Sequence, residues 1–292
     1  MTNRTLFIDS AKKIHSENGQ IAILLPDGEE KTVPPEDVML IMIDCATMIS
    51  SSMIQLASHN NIPIVVCGTN HMPDFYGGPI ETNSLQGERI RKQLDLPEDK
   101  RERLWQMLIR AKIRNQADLL DMLSIGGDTV REFAGRTEPG DPTNMEGAAA
   151  ATYWKLLFGK NFRRDRYGDH PNPMLNYGYQ VIRAVVAKAL AGSGLLTQVG
   201  LHHHNRSDAH PLANDMMEPF RPIVDKAVFE MYSRGLKQTD KTVRKELVSL
   251  IYSEVLLAGQ RHAVWDAAVN SATSLMNSLD DDVEQLLLPS LC

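Results

Sequence analysis

Lys13-Ile14-His15-Ser16-Glu17-Asn18-Gly19-Gln20-Ile21-Ala22-Ile23-Leu24-Leu25 decides how the chain begins. Asn-Gly is the pair favoured by a two-residue hairpin turn, because both central residues must take positive φ. Residues 13–17 and 20–25 therefore read as antiparallel partners, and Asp27-Gly28 marks another turn before residues 31–33. Working outward, residues 38–43 and 62–67 are short apolar runs of buried-strand length, with a helix expected over 51–59 between them. Around Tyr76-Gly77-Gly78-Pro79 the turn chemistry breaks this pattern, and afterwards the apolar period is helical: residues 104–123, 147–158, 175–195, 224–235 and 243–256. Residues 124–144 and 159–173 read as long loops. The expected fold class is α+β, with a small N-terminal β-rich domain over 1–80 and a larger, mostly α-helical domain over 81–292.

Composition frames this reading. The chain has 292 residues, 42% of them hydrophobic, enough for real cores. Cys45, Cys67 and Cys292 are an odd, scattered three without a CxxC pair, and no apolar run approaches membrane-spanning length, so the expected address is a reducing cytoplasm with no membrane association. There is no GxSxG elbow, no P-loop and no paired Cys and His in a recognisable context, which leaves a protein nucleophile or NTPase chemistry without support.

The chemistry-bearing stretch is Gly200-Leu201-His202-His203-His204, followed by Asp215-Met216-Met217-Glu218-Pro219-Phe220-Arg221-Pro222. Three imidazoles and two carboxylates supply nitrogen and oxygen donors suited to a divalent cation. Consecutive histidines cannot share a face, so at most two can meet one ion. Asp215 and Glu218, if helical, are neighbours whose charges repel unless a cation lies between them; a solvated acidic face fits the same spacing. Pro219 implies either a kink or a new helix near Pro222. Upstream, Asp141-Pro142-Thr143-Asn144-Met145-Glu146-Gly147 enters an alanine-rich helix, and Glu146 is either a third ligand or the partner of Thr143 in a capping box.

A net charge of −6 requires any nucleic-acid site to be local. Lys155, Lys160, Arg163, Arg164 and Arg166 face a single acid, Asp165, within residues 155–166. Such a run is a solvated loop or a phosphate-binding one. The acidic Asp280-Asp281-Asp282 is expected away from DNA.

In order and spacing, Glu146-Gly-Ala-Ala-Ala-Ala-Thr-Tyr-Trp154, Asn176-Tyr-Gly-Tyr179, Gly200-Leu-His-His203 and Asp215-Met-Met-Glu218-Pro-Phe-Arg-Pro222 resemble the CRISPR-associated integrase and endonuclease that inserts new spacers, most closely its type II version. Arg4-Thr5-Leu6-Phe7-Ile8 and Lys112-Ile113-Arg114-Asn115-Gln116-Ala117 extend the likeness over nearly the whole chain. The resemblance implies metal ligands at Glu146, His203 and Glu218, which are also the catalytic residues, holding Mg²⁺ or Mn²⁺. Asp215, Asn176 and His202 are then candidates for supporting these ligands, and Lys155, Arg163, Arg164, Arg166 and Arg221 for binding DNA. A strand reading of the histidine run pairs His202 with His204 instead, so the choice of His203 rests on the resemblance. It further implies double-stranded DNA partners (the incoming fragment and the CRISPR repeat), a homodimer formed through the β domain, and a small ferredoxin-like partner protein. The reaction implied is metal-assisted transesterification by a DNA 3′-hydroxyl, with water in its place giving nicking. Two rivals stand beside it: a zinc hydrolase using His202, His204 and a carboxylate, and a non-catalytic DNA-binding scaffold.

Overall fold

The computed structural model describes residues 4–69, 71–78, 83–205, 208–236, 238–279 and 285–292. The chain forms two compact units, residues 1–82 and 83–292. The Asp280-Asp281-Asp282 run lies outside the described residues.

The first unit holds β1 (Arg4–Ile8), β2 (Lys13–Glu17), β3 (Gln20–Leu24), β4 (Glu30–Val33), β5 (Val38–Ile43), β6 (Met48–Ile49), α1 (Ser51–His59), β7 (Ile64–Cys67) and β8 (Pro73–Gly77). Asn18 and Gly19 have φ of 48° and 75°, the turn that the sequence pair demands, and they close the β2–β3 hairpin. One sheet runs β4-β3-β2-β6 and the other β1-β5-β7-β8. β5 lies between two parallel neighbours, β1 and β7, and all six of its residues are buried, as a strand covered on both faces requires. Ile14, Ile21 and Ile23 of the hairpin sheet join Ile8, Ile41 and Ile43 of the other, with Met53 and Ala57 of α1, in a single core. Ser50 caps α1 by accepting the Met53 N–H at 3.2 Å.

The second unit contains α2 (Gln86–Leu94), α3 (Glu98–Met122), α4 (Asp128–Arg136), α5 (Met145–Phe158), α6 (Asn172–Gly192), α7 (Pro211–Met216), α8 (Arg221–Ser233), α9 (Lys241–Ser249), β9 (Glu254–Leu257), β10 (Gln260–Ala263) and α10 (Val264–Leu279). α3 packs on α4, α5 and α8, while α6 packs on α7, α8, α9 and α10. Three expectations are corrected. Residues 124–144 are not loop throughout, because α4 lies inside them. Helix does not continue to residue 256: it stops at Ser249, and the leucine-rich run becomes the β9–β10 hairpin, turned by Ala258 and Gly259 at φ of 49° and 80°. α3 begins six residues before the first expected position, since its polar first turns carry no apolar period. Of the two readings at Pro219 the second holds: no single helix is kinked there, and Pro219 lies in a 3₁₀ turn, Glu218–Phe220, after which a new helix, α8, begins at Arg221 beside Pro222.

A buried polar knot ties three helices together. Asp225 of α8 is fully buried and accepts hydrogen bonds from Tyr179 of α6 and from Tyr153 of α5, the latter at 2.9 Å. Burial pushes the Asp225 carboxyl up to about 6, an effect that the two phenol donors only partly oppose. Next to it, α6 crosses α8 closely at Gly178, where an added Cβ would stand 2.4 Å from Val224 Cγ1.

Gly178→Ala should therefore lower the melting temperature, by about 1–3 kcal/mol of overpacking, although alanine is the better helix former. Adding Val224→Ala should recover part of the loss in a double-mutant cycle; independent, additive effects would contradict the contact. A second prediction concerns pH. A carboxyl raised in the folded state binds its proton more tightly there than when unfolded, so its contribution is greatest below the ordinary carboxylate pKa and falls as pH rises towards 6. The stability of the wild type relative to Asp225→Asn should fall by roughly 2–3 kcal/mol between about pH 4 and 6 and then level off. Thermal melts of both proteins across pH 4–8 measure this, and a flat difference would contradict it.

Candidate metal and nucleic-acid site

The carboxylate of Glu146 is not spent on capping its helix. Asn144, in the left-handed region at φ 52°, accepts the Gly147 N–H at 3.0 Å, and Asp141 accepts the N–H groups of Met145 and Glu146 at 2.8 and 2.9 Å. The orphan amides of α5 are thus satisfied by Asn144 and Asp141, in place of the Thr143/Glu146 capping box. Glu146 Oε1 instead accepts from Lys112 Nζ of α3 at 2.5 Å. The same ammonium lies 2.6 Å from Glu218 Oε2, so α3 brings one cation between carboxylates from α5 and from the 3₁₀ turn.

Glu218 has only 3% of its side chain exposed and is also held by Arg221, whose Nε donates to Oε1 at 2.9 Å. Burial by itself would raise the Glu218 carboxyl; the Arg221 and Lys112 cations override it and hold the group below the usual carboxylate range. In return, burial that would weaken Lys112 as a base is outweighed by the charges of Glu218 and Glu146. Oε2 of Glu218 nevertheless makes no aligned hydrogen bond: its contact with Lys112 is an ion contact at good distance but poor angle. That oxygen already faces a cationic centre, the Lys112 ammonium.

The histidine run is organised by Asp215, which is fully buried near the end of α7. Its Oδ2 accepts the N–H groups of Leu201 and His202 at 2.6 and 3.1 Å, and its Oδ1 accepts the His203 N–H at 3.2 Å. Such wrapping requires Gly200, where a Cβ would lie 2.4 Å from the His203 carbonyl oxygen and 2.9 Å from Asp215 Oδ2. Oδ1 also receives His203 Nδ1 at 2.5 Å. With the carboxylate oxygen accepting, Nδ1 carries the proton, and in the neutral imidazole Nε2 keeps its lone pair. His203 is raised above the ordinary histidine value, chiefly by that bond, against a burial effect of opposite sign, with Glu218 and Glu146 adding to the rise. His203 thus feels both carboxylates.

Its neighbours do other work. His202 lies flat on the Trp105 indole at 4.3 Å between centroids and 1° between planes, and burial lowers its basicity. His204 Nδ1 donates to the His202 carbonyl at 2.5 Å. Among the described residues, no carboxylate joins His202 and His204 at ligand spacing. Glu146, His203 and Glu218 are also not within that spacing of one another; Lys112 stands between the two acids. The described group whose donor atoms all lie within 4.8 Å is His15, Glu17 and Glu30, on the hairpin sheet of the first unit. There His15 Nε2 meets Glu30 Oε1 at 3.3 Å, while its Nδ1 is buried without a partner. Metal-ligating histidines almost always anchor the second ring nitrogen. His203 has that anchor and His15 does not, so the first-unit trio is a His15–Glu30 contact with a nearby acid. The chemistry of Glu146, His203 and Glu218, one imidazole nitrogen and two carboxylates, fits Mn²⁺ or Mg²⁺.

The basic residues divide in a way that the sequence does not reveal. Lys155, Arg163 and Arg166 are exposed. Arg164 is tied down: Nη1 donates to Asn172 Oδ1 at 2.9 Å, Nη2 to Asn176 Oδ1 at 2.6 Å, and its guanidinium lies 5.3 Å from the Tyr179 ring centre. Arg221 is likewise engaged, with Glu218 and, at 4.6 Å, the same Tyr179 ring. Asn176 also donates to the Arg166 carbonyl at 2.7 Å, so it pins the basic loop and has no described contact with the two acids. Lys112 and Trp105 are absent from the site read in the sequence. The available signal was an ammonium at 112 on the same stripe as Trp105 and Leu108, an otherwise buried face of α3.

A CRISPR-associated endonuclease Cas1 from Neisseria meningitidis is 29% identical over 297 residues, covering 100% of this chain and 97% of the relative. Among solved structures, a casposase bound to integration product superposes with a TM-score of 0.83 at 22% identity, over 97% of this chain and 92% of that one. A Cas6-RT-Cas1–Cas2 complex superposes with a TM-score of 0.74 at 15% identity, over 96% of this chain and 35% of the other. Residues 6–255 match the family described as CRISPR associated protein Cas1, and with the motif residues 146, 203, 215 and 218 inside that span, the chain belongs to the Cas1 family.

Proposed function

We propose that this chain is the metal-dependent integrase and endonuclease of CRISPR spacer acquisition, joining short DNA fragments to a repeat array by 3′-hydroxyl transesterification. The observation that carries the reading is the pairing of His203 Nδ1 with buried Asp215, which reserves Nε2 for an ion beside two carboxylates. Glu146, His203 and Glu218 hold the ion, Mg²⁺ or Mn²⁺. Bound there, it would polarise a phosphate oxygen and stabilise charge on the attacking and leaving oxygens of an in-line displacement. Asp215 fixes the tautomer and plane of His203. Arg221 and Lys112 keep Glu218 ionised despite its burial. No nucleoside triphosphate is needed, because one phosphodiester is exchanged for another.

Lys155, Arg163 and Arg166 meet the DNA backbone, whereas Arg164 and Arg221 hold the loop and the ligand turn. The partner takes the form named in the Cas6-RT-Cas1–Cas2 neighbour: Cas2 stands in the place of the small ferredoxin-like protein expected from sequence. The homodimer through the β-rich unit is part of the same proposal and rests on the family resemblance alone. No described helix is long and apolar enough to cross a membrane, which is compatible with a cytoplasmic address.

Glu146→Gln should abolish joining of a 3′-hydroxyl duplex fragment to a repeat-bearing plasmid while changing the melting temperature by no more than a few degrees, since Asn144 and Asp141 do the capping. A fragment ending in a 3′-dideoxy nucleotide should give no joined product. Product at wild-type yield from either experiment would refute the mechanism. For the DNA surface, Arg163→Ala with Arg166→Ala should reduce the log–log salt slope of binding by about 0.9 per lost phosphate contact. Arg164→Ala should mainly lower thermal stability; the reverse pattern would exchange their roles.

A further inference from the structure

Trp105 lies in α3, two helical turns before Lys112, and is 1% exposed. Its indole is parallel to the His202 ring and perpendicular to the His203 ring, at 5.6 Å and 90°. The His202 and His203 rings are themselves at 88°. A single hydrogen bond from Nδ1 to Asp215 fixes one atom of the His203 imidazole but leaves the ring free to tilt about that contact. The two aromatic neighbours, each perpendicular to it, supply the missing restraint. Among the described residues the indole has no polar tether: Nε1 is buried and makes no hydrogen bond to them, so ring packing sets its orientation.

We infer that Trp105 is a positioning residue for the ion site: clamped on His202, its indole holds the plane of the His203 ring so that Nε2 is presented at a fixed angle. This rests on the metal reading given above. It assigns His202 a task as the plate that completes the clamp, and it makes Trp105 an optical reporter, because an ion on His203 changes the environment of an indole in edge contact with that ring.

The test is Mn²⁺ affinity, measured by calorimetry on the full chain without any turnover. Trp105→Met keeps the apolar volume and loses the planar face, and it should weaken Mn²⁺ binding about 10-fold or more, as loss of an outer support to a metal ligand does. Trp105→Phe keeps a planar ring and should stay near wild type. A purely structural Trp105 would instead give the two variants equal affinity. Wild type that binds no Mn²⁺ at all would sink the metal reading itself; wild type and Trp105→Met binding equally well would sink only the inference about Trp105. Should Trp105→Met fail to fold, the Trp154→Phe/Trp265→Phe double variant leaves Trp105 as the only one of the three tryptophans. Its emission should then change saturably with Mn²⁺, at the calorimetric affinity and not in a His203→Ala background, while unresponsive emission would overturn the proposal.

Discussion

A fully buried carboxylate, Asp215, organises the candidate site. An ion in that position would be costly if unpaired, and the chain surrounds it with three backbone N–H groups and one imidazole. Because those donors come from consecutive residues 201–203, satisfying Asp215 forces the turn, and the turn sorts three adjacent histidines into three roles. One faces the acids, one lies on an indole, and one binds its own backbone. Gly200 is the steric condition for this wrapping.

Charge compensation extends outward from there. Glu218 stays ionised inside the protein because Arg221 and Lys112 flank it, and Lys112 is tolerated at depth because Glu146 completes the pairing. Removing a buried cation of this set typically costs about 3–5 kcal/mol, whereas Glu146, 26% exposed, is the member whose charge can be lost while Lys112 keeps Glu218. At the surface the balance is different. An overall charge of −6 leaves Lys155, Arg163 and Arg166 as a local exception, and Asn172 and Asn176 hold the loop that carries the last two through their bonds to Arg164 and to the loop backbone.

Local signals were legible in the sequence where they were covalently close. Asn18-Gly19 produced its hairpin, residues 38–43 their strand and residues 51–59 their helix. Residues 250–257 misled because leucine serves helix and strand alike, and the hairpin is set by Ala258-Gly259 and by pairing with residue 290, which no local window contains. The polar opening of α3 and the short α4 carried too little apolar period to register. In the site, Asp215 and Glu218 stood out by residue type and spacing, whereas His203 over its neighbours, and Glu146 as ligand over cap, came only from the resemblance. Lys112 and Trp105 did not stand out, because an isolated lysine or tryptophan on a helix acquires meaning only when other elements bring acids and imidazoles against it. Likewise Arg164 and Arg166 are indistinguishable in a charge run, and only the asparagines of α6 separate them.

The long helix α3 carries Trp105 and Lys112 seven residues apart on one stripe, one against the histidines and the other against the acids. That spacing sets a rule for how relatives of this chain can diverge. Inserting or deleting one residue between the two would rotate one of them by about 100° away from the site, so this segment is locked in length even where its composition drifts.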